Sequence, residues 1–168
     1  NKRVENNSEG NPSMNRSSLA VTLANNDYVY LLCGPATNSL GEFHGVFRST
    51  DEGESFSNRA TTPNILGRSS TGNDGEDQES YDLAIEASPT NANYVLTGGI
   101  ALWRSSNGGI TYTYVNPSSY YHGDIHDIVY HPLNNNIVFM CSDGGLYRSN
   151  DNGINWYHLN QNLQVTQY

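Results

Sequence analysis

Apolar positions in this chain arrive in short bursts of about five residues, separated by polar turn residues. SLAVTL from Ser18, YVYLLC from Tyr28, LAIEA from Leu83 and HDIVY from His126 are such bursts. Asn, Pro and Gly fill the gaps, as in PTNANYV from Pro89 and PLNNNIV from Pro132. Short β-rich runs joined by turns of this kind predict antiparallel hairpins. No window carries the i, i+3, i+4, i+7 stripe of an amphipathic helix, which argues against a helical repeat. LAVTL, LAIEA and DIVY are apolar on both faces, the pattern of strands covered on both sides.

The pattern also repeats. RSTDEGESF, RSSNGGITY and RSNDNGINW share one frame: Arg-Ser, any residue, Asp or Asn, any residue, Gly, two residues, then an aromatic. Their arginines are Arg48, Arg104 and Arg148, spaced 56 and 44 residues apart. Before the second and third copies stand LAIEA and HDIVY, then the PTNANYV and PLNNNIV turns, then the glycine-bearing TGGIALWRS and CSDGGLYRS. The first copy is looser, running from SLAVTL through ANNDYVYLLCG and an insertion to HGVFRS. In the third unit the strands fall at Asp127–His131, Ile137–Cys141, Gly145–Ser149 and Trp156–Leu159. Four-stranded units at a period of ~40–50 residues predict an all-β fold, a β-propeller segment of about three antiparallel blades.

The boundaries follow: 1–17 a leading loop, 18–60 blade one, 61–80 a polar insertion loop, 81–115 blade two, 116–160 blade three, and 161–168 the start of a further blade. Three blades do not close a ring, for which at least about four are needed. The expectation is a segment of a larger protein, whose remaining blades are its first partners.

The shared frame lies between the third and fourth strands of each unit, and a turn accounts for all of it. Asp51, Asn107 and Asp151 can accept turn N–H groups, and Ser49, Ser105 and Ser149 add a hydroxyl to the same network. Gly53, Gly109 and Gly153 supply a positive φ. Phe56, Tyr112 and Trp156 bury an aromatic beside the turn.

Composition and charge narrow the classes. The 168 residues carry a net charge of −9, which excludes a nucleic-acid partner, since phosphate wants a basic face. Polarity comes largely from 23 Asn rather than from charge, and 12 Tyr with 16 Gly mark a folded, turn-rich protein. No apolar run approaches the ~20 residues of a membrane-spanning helix. Neither an initiator Met nor a signal-peptide core opens the sequence. Cys33 and Cys141 sit in apolar strands of different units and read as separate, buried free thiols.

Candidate chemistry gathers before the first strands of the second and third units. In YHGDIHDIVYH, His122, Asp124 and His126 alternate, so an extended strand would project all three to one side as a ligand or metal cluster. A polar strand start bonded to loops or water is the alternative reading. The acidic loop GNDGEDQESYD contains Asp74, Glu76, Asp77, Glu79 and Asp82. Such oxygens suit Ca²⁺, with Asp74 and Asp77 as candidate ligands, although the EF-hand order is missing and a solvated insertion also fits. Asp143, before Gly144-Gly145, reads as a turn acceptor.

The repeated turns resemble the Asp box, S-x-D-x-G-x-x-W, of sialidase-type and sortilin-type propellers and of xyloglucan-degrading glycoside hydrolases. The run from YDLAIEASPTNANYVLTGGIALWRSSNGG through HGDIHDIVYHP to SDGGLYRSNDNGINWYHLNQNLQVTQY is similar to a narrower group. That group comprises secreted or surface proteins of Bacteroidetes-type bacteria, glycosyl-hydrolase-like and exported by type IX secretion.

The resemblance implies a secreted or cell-surface bacterial protein that binds glycan or protein, or travels as cargo and meets the secretion machinery. It implies as an alternative a glycoside hydrolase working with two carboxylates, for which Asp82 with Asp124 or Asp127 are the candidates. Sialidase chemistry is disfavoured. That family grips a carboxylate with three arginines, while Arg48, Arg104 and Arg148 belong to the turns and Arg3, Arg16, Arg59 and Arg68 stand in loops.

Overall fold

The computed structural model describes residues 16–35, 43–115 and 121–163. The leading residues and the end of the chain, where a further blade is expected to start, fall largely outside them. Twelve strands are described and no helix. They are β1 (Ser17–Val21), β2 (Val29–Cys33), β3 (Gly45–Ser49), β4 (Ser57–Ala60), β5 (Ala84–Ala87), β6 (Val95–Gly98), β7 (Leu102–Ser105), β8 (Thr113–Tyr114), β9 (Ile125–Tyr130), β10 (Val138–Ser142), β11 (Gly145–Ser149) and β12 (Tyr157–His158). They form three four-stranded sheets, β1 to β4, β5 to β8 and β9 to β12, each antiparallel and each in chain order.

The first strands lie side by side, with β5 packed between β1 and β9. The sheets therefore fan out as blades, a β-propeller segment. The middle sheet shows why its sequence is apolar on both faces. Ile85, Val95 and Trp103 pack toward the first sheet with Tyr30, Leu32 and Val46. Ala84, Leu96 and Leu102 pack toward the third with Ile125, Val138, Met140 and Trp156. Successive residues on one strand thus serve two interfaces.

Antiparallel pairing fixes what each end carries. The β1–β2, β3–β4 and equivalent turns leave at one end; the β2–β3 turns and the connections between sheets leave at the other. All three repeated turns share the first end, called the turn end below. The insertion loop and the residues leading into β9 share the second, the connection end.

Three expectations need correction. β1 is not covered on both faces: Leu19 and Val21 are 59% and 62% exposed, because no described strand lies beyond it. Val129 of β9 is exposed for the same reason. Cys141 is an exposed free thiol, since alternation on β10 turns Val138 and Met140 inward and 141 outward; Cys33 is buried and free, its thiol pushed up to about 12 by burial. The polar segment after β4 is anchored in the core at its start rather than solvated throughout. Ile65 and Leu66 are fully buried in the core between the first two sheets, and Asn64 binds the loop together through Asp74 O, Glu76 O and Leu66 N.

Candidate functional site

At the turn end the three repeated turns have one wiring. Ser49 Oγ accepts Asp51 N at 3.2 Å and Gly53 N at 2.8 Å, and donates to Asp51 Oδ1 at 2.6 Å. Ser105 and Ser149 make the same three bonds with Asn107, Gly109, Asp151 and Gly153. Gly53, Gly109 and Gly153 have φ of 88°, 83° and 82°. One member was missed by the sequence reading. The residue four past the Asp or Asn returns to it: Ser55 N, Thr111 N and Asn155 N donate to the side-chain Oδ1 at 2.9, 3.0 and 2.8 Å. A polar residue at that position in every copy was the available signal. Trp156 is buried and donates Nε1–H to Gly153 O at 3.2 Å, whereas Phe56 and Tyr112 are half-buried.

These groups are spent on one another, and the candidate residues for chemistry lie at the connection end. There the insertion loop, the β6–β7 turn and the lead-in to β9 are sewn together. Ile100 N donates to Leu66 O, Asp124 N to Ile100 O and Ile125 N to Gly99 O. Between them opens a cleft of about 410 Å³, lined by Arg68, Ile100, Tyr114, Tyr121, His122 and Asp124 among others. Tyr121 is fixed from behind, donating to Val115 O at 2.7 Å and accepting Leu102 N at 3.3 Å. Arg68 stands at the mouth, paired with Glu76 at 3.4 Å, and both are exposed.

Of the alternating trio, the structure does not make a one-sided row. Asp124 has φ 61° and precedes the strand, so the chain is not extended across it. His126 occupies a β-bulge: Cys141 pairs with Asp127 and Ser142 with Ile125, leaving 126 without a counterpart. A bulge re-aims its side chain. His126 Nε2 lies 2.7 Å from Asp143 Oδ1, and Tyr81, whose ring meets His126 edge-on, donates its hydroxyl to the same oxygen at 2.8 Å. His122 is exposed in the cleft and Asp124 half-buried there. Among the described residues no group of three His, Cys, Asp or Glu is placed to hold a metal ion.

Asp143 is therefore a partner of His126 and Tyr81, and Ser142 Oγ instead caps the bend by accepting Gly144 N at 3.2 Å. Burial raises the Asp143 carboxyl, but the hydrogen bonds from His126 and Tyr81 outweigh it and hold it below the ordinary carboxylate value. Asp74 Oδ2 accepts Arg68 N at 2.9 Å and Ser69 N at 2.7 Å, while its buried Oδ1 has no hydrogen-bond partner among the described residues. Asp77 is half-buried in the same loop.

Asp82 differs from all of these. It is wholly buried just before β5, and neither carboxylate oxygen has a hydrogen-bond partner among the described residues. Burial, then the charge of Asp124, then that of Asp143 push it up to about 8, against the smaller pull of its own backbone amide and of Arg16. Burial and the neighbouring carboxylates thus favour its protonated form. Asp127 is not part of this group. It is exposed, accepts Ile128 N at 2.9 Å, and its charge bears on Glu86 and Cys141.

No protein-family model matches the chain, and no curated protein does. Solved structures do. The GH74 enzyme of Niastella koreensis superposes with a TM-score of 0.58 at 23% identity, over 83% of this chain and 22% of that one. An ancestral GH74 enzyme gives 0.55 at 21%, over 89% and 19%. YCF48 bound to D1 peptide gives 0.51 at 16%, over 82% and 38%. The chain spans about a fifth of the length of the two GH74 enzymes. At these identities the likeness establishes the fold: an all-β propeller segment of three four-stranded antiparallel blades.

Proposed function

We propose that this chain is part of a larger secreted or cell-surface Asp-box propeller of the bacterial glycosyl-hydrolase-like group exported by type IX secretion, and that its connection end binds glycan. The observation that carries the reading is the cleft. Its wall is apolar and aromatic, from Ile100, Ala101, Tyr114 and Tyr121, and its polar groups converge from His122, Asp124 and Arg68. An aromatic and aliphatic wall with a few placed donors and acceptors suits a sugar ring, which offers C–H faces and hydroxyl edges together. The backbone ladder from Leu66 through Ile100 to Asp124 holds that geometry ready before ligand arrives. The repeated turns at the opposite end keep the blades in shape and take no part.

Affinity electrophoresis through neutral polysaccharide gels tests this. Retardation by at least one glycan is expected, and Tyr114→Ala or Asp124→Ala should weaken it by roughly tenfold, since each removes a contact worth about 1–1.5 kcal/mol. Mobility unchanged in every glycan, at intact fold, would overturn the reading.

A two-carboxylate glycoside hydrolase is the second reading, favoured by the pairing of a buried Asp82, whose carboxyl burial and then the charge of Asp124 push up to about 8, with Asp124 in the cleft. Against it, Asp82 is enclosed and only Asp124 reaches the cleft. Release of reducing ends from a β-glucan, abolished by both Asp82→Asn and Asp124→Asn, would favour this reading; binding without turnover favours the first.

A further inference from the structure

A second opening lies at the turn end, against the inner strands, where the turns after β1, β5 and β9 converge. It holds about 170 Å³ and is lined by Val21, Leu23, Glu86, Pro89, Tyr130 and Pro132 among others. Its polar groups are mostly committed. Thr22 Oγ1 donates to Ser88 O at 2.6 Å, Tyr130 Oη donates to Asn152 Oδ1 at 2.5 Å, and His131 Nδ1 accepts Leu133 N at 3.0 Å. Glu86 is the exception. This half-buried carboxyl receives a single hydrogen bond among the described residues, from Tyr130 N at a long 3.5 Å. Among the described residues no Lys or Arg lines the opening, and Asp127 adds a second negative charge nearby.

Among the described residues the rim is apolar and exposed. Val21 is 62% exposed and Leu23 84%, and Leu133, in the same turn as Pro132, is 90% exposed. An under-coordinated carboxylate at the base of a narrow aliphatic funnel asks for a donor-only group on a hydrocarbon stem. A lysine side chain meets both demands, its methylenes against the leucine, valine and prolines and its ammonium on the carboxylate. Arginine fits less well, because its planar fork needs two acceptors in a plane. The chain's net charge of −9 favours a basic partner in general.

We propose that this end of the propeller is a protein-docking surface whose anchor is a lysine side chain from the partner, seated over Val21, Leu23 and Pro132 with its ammonium on Glu86. The site is distinct from the glycan cleft and lies at the opposite end of the blades.

The test uses the full chain with ¹³C-labelled glutamate and the peptide acetyl-Leu-Lys-Leu-amide, titrated at pH 8. A saturable shift of the Glu86 side-chain carbon is expected. The same peptide carrying Nε-acetyl-lysine should bind at least about tenfold more weakly, as should the unmodified peptide to Glu86→Gln, while Asp124→Asn should bind as the wild type does. Equal affinity for the acetylated peptide, retention of binding in a folded Glu86→Gln, or a Glu86 response to Ca²⁺ but none to the peptide would each overturn it. Should Glu86→Gln fail to fold, the acetylated and free peptides compared on the unaltered chain still decide.

Discussion

Asp51, Asn107 and Asp151 hold the same position in three turns with two different functional groups. What the position requires is an oxygen that accepts from the serine hydroxyl two residues before and the backbone N–H four residues after, and an amide offers that as well as a carboxylate does. The second atom then adapts: Asp51 and Asp151 accept from Ser55 Oγ and Asn155 Nδ2, whereas Asn107 donates its Nδ2–H to Thr111 Oγ1. Burial pushes Asp151 up, but the bonds from Asn155, Ser149 and Ile154 more than reverse it, so the carboxylate is held below its ordinary value. Asp151→Ala should therefore cost about 1–3 kcal/mol, because it strands the N–H groups of Ile154 and Asn155 and the Ser149 hydroxyl. Asp151→Asn should cost under about 1 kcal/mol, as position 107 already exemplifies. Urea denaturation of the two variants separates the outcomes, and equal losses would show that charge, not acceptor geometry, holds the turn.

At the level of elements, the connection end depends on how closely the second and third sheets approach. Gly98 closes β6 where Ile125 opens β9, and a Cβ there would run into the Ile125 side chain. Gly75 has open space around it. Gly98→Ala should then lower stability by about 1–3 kcal/mol through overpacking, while Gly75→Ala stays within about 0.5 kcal/mol of wild type. Thermal melts of the pair check this; an unharmed Gly98→Ala would mean the sheets can part freely beside the cleft. The glycines after TGG and in the turns were legible in the sequence, because a repeat exposes positions that cannot vary in backbone conformation. The strands were legible too, within a residue or two, since each unit's apolar bursts coincide with those of its neighbours. The site was only half legible. Alternation at His122, Asp124 and His126 presumes an unbroken strand, and a left-handed Asp124 with a bulge at His126 breaks it; neither leaves a mark on a one-dimensional pattern. The partnership of Tyr81, His126 and Asp143 joins residues from three elements, which no spacing encodes. Ile65 and Leu66 were lost inside a polar stretch because two apolar residues are too few to make a period.

Across the whole molecule the titratable groups oppose one another, and the sign of each can be worked out. Asp143 and Asp151 sit below the ordinary carboxylate value, so their contribution is complete above about pH 4 and disappears as acid protonates them. Asp82 and Glu86 behave the other way. Burial, then the charge of Asp124 push Asp82 up to about 8; burial, despite the hydrogen bond from Tyr130 N, pushes Glu86 up to about 7. Below pH 4 both are protonated whether the chain is folded or not, and they cost nothing as ions. Between pH 4 and 8 the unfolded chain releases protons that the fold retains, so stability falls with rising pH, and above 8 the loss is complete. For these four groups the balance favours the fold on the acid side of neutrality. Asp82→Asn should leave stability unchanged near pH 4 and raise it at pH 8 by an amount on the order of a few kcal/mol, flattening the descent between. Denaturant midpoints for the two proteins, taken at half-unit steps from pH 3 to 9, decide the matter. Parallel curves would mean that Asp82 is ionised in the fold and has a counter-charge or solvent at its carboxylate, and the contest between the buried acids and the hydrogen-bonded ones would not exist.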